Sequence, residues 1–328
     1  MKKIFPNKLF PGDEIRILSP ARSLGIIDSS LRKIAKDKLE KIGLKVTFSK
    51  YCEERDMFDS SSVQSRLFDL HEAFLDKNVK AILTTIGGYN SIQLLEGIKY
   101  ELIKDNPKIL CGYSDITTLQ NAIFAKTGIV TYSGPHFSTF GCLEGLDYVM
   151  EYFKKCLFDN SEIDIKPSLV WSDDEWYLDQ NNRKFMKNEG HIFIQKGFAR
   201  GTIIGGNIGS FALLQGTEYQ PSFKDTILFL EDNYPMTIGE LDRQLCSLIL
   251  QKGFKQVKGI VFGRFQVESK ILFDQIKAVI ASKATLSTLP IIANVDFGHT
   301  LPLCTFPIGG TASIDSSMNH INLKILNE

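Results

Sequence analysis

Across its first 130 or so residues the chain alternates short apolar runs with amphipathic stretches of helical period, a pattern that few folds accept. Residues 14–19 read as a strand that Pro20 ends. Ile27, Leu31, Ile34 and Ile42 then fall near helical spacing, and Gly43 supplies a left-handed stop. Residues 45–49 form a second strand. Val63, Leu67, Leu70 and Phe74 mark a second helix, and residues 79–84 a third strand running into Gly87-Gly88. A helix from about residue 91, a strand at 108–111 and a helix over 115–126 follow. Such alternation builds a parallel sheet covered by helices on both faces. Ligands of these sheets sit at the carboxyl ends of the strands. Three loops leave those ends: 20–25, 87–90 and 112–115.

Further on the pattern changes. A helix over 146–157 leads into a polar stretch, 167–176, that holds both tryptophans, Trp171 and Trp176. So long an irregular segment suits a connection carrying a functional loop. Strands dominate from Gly201: 201–204, 226–231, 259–263, 291–294, 311–314 and 320–325, interrupted by helices over 238–252 and 271–282. The chain therefore reads as α/β, with a parallel-sheet domain (1–158), a connection (159–200) and a smaller, β-rich mixed domain (201–328). Lysine plus arginine equals aspartate plus glutamate at 38 each, so there is no cationic excess for a nucleic-acid backbone. No run approaches the roughly 20 apolar residues that span a bilayer, and no signal peptide opens the chain. Cys52, Cys111, Cys142, Cys156, Cys246 and Cys304 are dispersed without a C-x-x-C pair, which fits reduced thiols in the cytoplasm better than disulfides or zinc.

The chemistry concentrates where strand 108–111 turns into a helix. Gly112 stands two residues before Ser114, as in a nucleophile elbow, although Ile116 replaces the second glycine of G-x-S-x-G. An elbow would clear the serine hydroxyl and set the Asp115 amide at a helix N-terminus, facing a developing oxyanion. Ser114 could equally be a helix cap. The turn at Gly87-Gly88 can supply a second donor, the Gly88 amide; as a phosphate cradle it lacks both G-x-G-x-x-G and G-x-x-x-x-G-K-[ST]. Of five histidines, His71 sits in a helix among charges, His320 in a terminal turn, His191 at a strand start and His136 after Pro135. His299 follows Gly298 in a loop directly after a strand, where a general base can be aimed; the alternative is packing at a domain seam. Glu231 ends the apolar run 227–230, a position for an orienting carboxylate or for a solvated strand end.

These segments together resemble the LD-carboxypeptidase family of serine peptidases, including its microcin-immunity branch. The likeness runs through Pro11-Gly12-Asp13-Glu14-Ile15, Gly87-Gly88-Tyr89-Asn90, Gly112-Tyr113-Ser114-Asp115-Ile116-Thr117, Gly205-Gly206-Asn207, Leu228-Phe229-Leu230-Glu231-Asp232, Gly263-Arg264-Phe265, Phe297-Gly298-His299-Thr300 and Pro307-Ile308-Gly309. It implies a flavodoxin-like N-terminal domain, a smaller β-rich C-terminal domain and a site between them. It also implies a Ser114–His299–Glu231 triad, an oxyanion hole from the Gly88 and Asp115 amides, no metal or other cofactor, and a homodimer. Family substrates are cell-wall tetrapeptides or, in the microcin branch, peptidyl- and aminoacyl-nucleotide conjugates. Trp171, Trp176 and Asn207 are then the expected substrate contacts, a tryptophan-bearing loop being a feature of the second branch. Two rivals stand beside this reading. A non-catalytic two-domain clamp for small ligands would bind without turnover. A glutamine-amidotransferase-like hydrolase would need cysteine at the elbow, and Cys111 lies too early, inside the strand.

Overall fold

In a computed structural model describing residues 2–316 and 320–327, two sheets account for the alternating pattern. Five parallel strands stand side by side in the order Lys45–Phe48, Glu14–Leu18, Val79–Thr84, Ile109–Gly112 and Thr131–Ser133. This is the flavodoxin-like order, and its direction of winding switches between Glu14–Leu18 and Val79–Thr84. The central strands are apolar because helices cover both faces: Ile17, Ile82, Leu83, Leu110 and Cys111 are wholly buried. Side chains start two of the covering helices. Asp28 accepts from the Ser30 amide ahead of Ser29–Lys41, and Ser62 from that of Ser65 ahead of Val63–Leu75. The helix expected from about residue 91 is instead a 3-10 segment, Ser91–Gly97, followed by a short helix, Tyr100–Asp105. His71 Nε2 accepts the Lys99 amide at the break.

Eight strands make up the second sheet. Phe198–Asn207, Thr226–Glu231, Gly259–Gly263 and Ile291–Val295 run parallel at its centre. Thr311–Asp315, Asn322–Leu326 and Ile163–Asp164 extend it antiparallel on one side, and Ile192–Gln195 on the other. Helix Ile116–Thr127 of the first half is fastened to this sheet. Asn121 Nδ2 donates to the Gly205 carbonyl (2.8 Å) and its Oδ1 accepts the Gly205 amide (3.1 Å), while Thr117 Oγ1 accepts the Asn207 amide (3.0 Å). Phe306–Ile308, late in the chain, returns to pair antiparallel with Thr131–Ser133 in the first sheet. Apolar packing therefore runs across both halves without a gap.

Candidate active site

Ser114 lies between Ile109–Gly112 and Ile116–Thr127 with φ of +60°, a left-handed backbone that costs a β-carbon-bearing residue energy and recurs at nucleophile turns. Its neighbour holds the turn. The buried Asp115 carboxylate accepts the amides of Asn90 (3.0 Å) and Ser91 (2.9 Å), and Ser91 Oγ donates to the Asp115 carbonyl (2.8 Å). The elbow is thus tied to the loop after Val79–Thr84. Gly87 in that loop is glycine for reasons of space: a methyl there would stand 2.9 Å from Ser114 Cβ and 3.0 Å from its Oγ. Neither the Gly88 nor the Asp115 amide meets an acceptor among the described residues.

The second half supplies the rest. His299 Nε2 stands 3.0 Å from Ser114 Oγ, and its Nδ1 stands 2.7 Å from Glu231 Oε2. Glu231 is the last residue of a fully buried strand and only 3% exposed, so a partner must compensate its charge. Gly298 (φ +109°) leaves room for it, since a β-carbon there would fall 2.7 Å from Glu231 Oε2. Burial works against a charge on His299, but the carboxylate of Glu231 outweighs it, with help from Asp232 and Asp173, and lifts the imidazole pKa above its ordinary value.

One buried network steers both this loop and the tryptophan segment. Arg264 donates to Asp296 Oδ1 (2.6 Å) and Asn294 Oδ1 (2.9 Å). Asp296, just ahead of His299, also accepts the Ser168 amide (2.8 Å) and hydroxyl (3.0 Å). Farther along, Ser172 and Leu301 exchange backbone hydrogen bonds of 2.6 and 2.9 Å. Asp173 accepts from Gln266 Nε2 and the Val267 amide. The segment 172–177 thereby walls a cavity of about 490 Å³ that opens on Ser114 and His299.

The expected substrate contacts separate. Trp176 lines the cavity, packed against an apolar cluster that includes Leu301 and Leu303. Trp171 does not: the Arg264 guanidinium lies 4.8 Å from its ring, which holds it outside the cavity wall. Asn207 pairs in register with Glu231, but its side chain caps Ile208–Ala212 through the Ser210 amide and donates to Asp232 (2.9 Å). Two wall residues were not expected from the sequence: Arg22 was not singled out, and His136 was passed over in favour of His299. Arg22 and His136 flank Gly87-Gly88, and a lone arginine or a histidine after proline carries no local pattern to single it out. A cavity of about 620 Å³ near Phe5, Lys8 and Tyr132, at the opposite edge, holds no serine–histidine pair. Among the described residues no group of three or more His, Cys, Asp or Glu side chains is disposed to hold a metal ion, and no helix is long and apolar enough to cross a membrane. A hydroxyl, an imidazole and a buried carboxylate in line can pass a proton from oxygen to nitrogen and steady the imidazolium that results.

Comparison with known proteins bears on the same segments. Residues 15–134 match the LD-carboxypeptidase N-terminal domain and residues 200–314 the LD-carboxypeptidase C-terminal domain. The Bacillus subtilis protein YocD, which carries a provisional carboxypeptidase name, is 54% identical over 95% of this chain and 96% of its own length. A crystal structure of an MccF-like protein from Bacillus anthracis superposes with a TM-score of 0.98 at 54% identity, covering 99% of this chain and 100% of that one. The microcin C7 self-immunity protein MccF of Escherichia coli is 30% identical over 87% of this chain and 85% of its own. Its structure with aspartyl sulfamoyl adenosine gives a TM-score of 0.90 at 28% identity, covering 99% of each chain.

Proposed function

The chain belongs to the LD-carboxypeptidase family, and from that membership we propose that it is a serine peptidase hydrolysing the amide bond of a peptidyl- or aminoacyl-nucleotide conjugate. One observation carries the chemistry: the continuous contact from Glu231 through His299 to Ser114, at 2.7 and 3.0 Å. In the proposed reaction His299 accepts the hydroxyl proton as Ser114 Oγ attacks the carbonyl carbon. The tetrahedral oxyanion takes hydrogen bonds from the Gly88 and Asp115 amides, which meet no other acceptor among the described residues. His299 then delivers the proton to the departing nitrogen as the C–N bond breaks. Water, deprotonated by the same imidazole, releases the acyl group from Ser114. Each oxyanion donor is worth about 3–4 kcal/mol in such reactions.

Trp176 supports a nucleotide on the leaving side. It is an indole in the cavity wall, and base–aromatic stacking contributes about 1–3 kcal/mol. The likeness to MccF, whose solved complex holds an aminoacyl nucleoside, points the same way. A cytoplasmic location accompanies this reading, supported by six unpaired cysteines. The test offers an aspartyl adenosine phosphoramidate and a cell-wall tetrapeptide side by side, with products identified by mass. The phosphoramidate should be cleaved to aspartate and the nucleotide amide, and Ser114→Ala should lose about 10⁶-fold in kcat. Exclusive cleavage of the tetrapeptide would reassign the substrate; wild-type turnover by the alanine variant would end the mechanism.

A further inference from the structure

The cavity wall contains a pair of nitrogen-bearing side chains that the proposed proton transfer leaves unused. Arg22 follows Glu14–Leu18 and Gly87 follows Val79–Thr84, so both sit where the first sheet switches direction, the crevice in which such folds bind ligands. His136 joins them from the segment after Thr131–Ser133. Consecutive glycines hold the pair together. A β-carbon on Gly87 would lie 3.5 Å from His136 Nε2 and 3.0 Å from Ser114 Oγ, and one on Gly88 would lie 3.1 Å from Arg22 Cγ. The imidazole therefore faces the same small space as the nucleophile.

His136 is 2% exposed, and its Nε2 has no hydrogen-bond partner among the described residues. Nδ1 is satisfied at 2.7 Å by Thr84 Oγ1. A hydroxyl has one proton to give, and its other acceptor, the Cys111 carbonyl, is at 3.3 Å. With the hydroxyl proton on the Cys111 carbonyl, Thr84 accepts from Nδ1; an anion in the cavity selects the other tautomer, in which Thr84 donates to Nδ1 and the ring proton sits on Nε2. Burial, then the neighbouring His299 and Arg22, hold the imidazole pKa down to about 3, so His136 stays neutral. Arg22 is the one lysine or arginine among the described residues lining this cavity. Only its Nε is engaged, 3.4 Å from the Gly87 carbonyl, and the rest of the guanidinium fork is unspent. A buried polar atom without a partner is costly, and a cation beside it calls for an anion.

We propose that Arg22 and His136 form a carboxylate subsite, so that the enzyme selects substrates carrying an acid group close to the scissile amide. This rests on the reading of Ser114 as nucleophile. Two carboxylates meet the chemistry, an aspartyl side chain on the acyl group or the terminal carboxylate of a leaving amino acid. Two matched pairs distinguish them: aspartyl against asparaginyl adenosine phosphoramidate, and a cell-wall tetrapeptide against its C-terminal amide. The readout is the acid-to-amide ratio of kcat/KM, which cancels any loss of folded protein. Wild type should favour the acid by at least about tenfold in one pair, the pair showing which carboxylate is bound. Arg22→Gln should bring that ratio close to one. His136→Gln, whose amide nitrogen can reach the Nε2 position, should keep most of the preference, and His136→Asn, which reaches only the Nδ1 position bonded to Thr84, should lose it. No acid preference in either wild-type pair, or an undiminished ratio in Arg22→Gln, would overturn the subsite. Equal ratios in the two His136 variants would remove His136 from it. Turnover surviving Ser114→Ala would instead sink the nucleophile assignment while leaving the ratios to be judged alone.

Discussion

The nucleophile and the base are held by opposite means. Ser114 is placed by backbone: a left-handed φ of +60°, a glycine pressed against it, and an adjacent carboxylate that ties two loops by their amides. His299 is placed by side-chain charge, between Glu231 on its own ring and the Arg264–Asp296 pair at the root of its loop. Steric placement has little tolerance and little dependence on pH. Electrostatic placement can be switched by a single proton. The same site thus combines one member that cannot move with one whose position and charge are coupled.

Removing the charge should produce the largest failure on the base side. Glu231→Gln should lower kcat by about 10⁴-fold while the fold persists, since a misoriented imidazole cannot take the proton. The pH profile sharpens the point. His299 must be neutral to act, and its pKa lies above the ordinary value of about 6.5. Wild-type kcat/KM should therefore begin to fall above pH 6.5 as the solution is acidified. In Glu231→Gln the strongest influence raising that pKa is gone, so the acid limb should move to lower pH; a limb that stayed in place would show that the carboxylate does not govern the base.

Asp296→Asn comes next. It leaves Arg264, itself 3% exposed, without its carboxylate, and breaking a buried pair of this kind costs about 3–5 kcal/mol. Denaturant unfolding should report the loss, together with freer motion of the tryptophan segment; an unchanged midpoint would mean that the loop is anchored elsewhere. On the backbone side, Gly87→Ala should cost about 100-fold in kcat through displacement of Ser114, with little change in the pH profile. A shifted acid limb there would blur the distinction drawn above. The smallest effect belongs to the shared wall. Trp176→Ala should raise KM for the nucleotide conjugate about tenfold and leave the tetrapeptide nearly unaffected, whereas Trp171→Ala should act on stability alone.

Long apolar runs made the central strands readable, and residues 79–84, 226–231 and 259–263 fold as strands over just those limits. Thr131–Ser133, Phe306–Ile308 and Ile163–Asp164 were not foreseen, because two or three residues hold no period and only a partner far along the chain makes them strands. Ser114, Glu231 and His299 stood out because each ends or follows an apolar strand, and the structure brings them together. Two tryptophans five positions apart on an irregular segment could not be told apart. Their difference lies in Arg264, which comes from another strand end. Asn207 looked like a ligand contact because it ends a glycine motif, yet its amide is consumed by a helix start and Asp232. Arg22 and His136 become neighbours only once the sheet is wound.

Phe306–Ile308 lies in the first sheet although it is encoded after every strand of the central parallel group in the second. The two lobes are therefore basted to one another by a return stitch, and neither could be excised, swapped or inherited without fraying the other. Any rocking of one lobe against the other must carry this strand with it or part it from Thr131–Ser133.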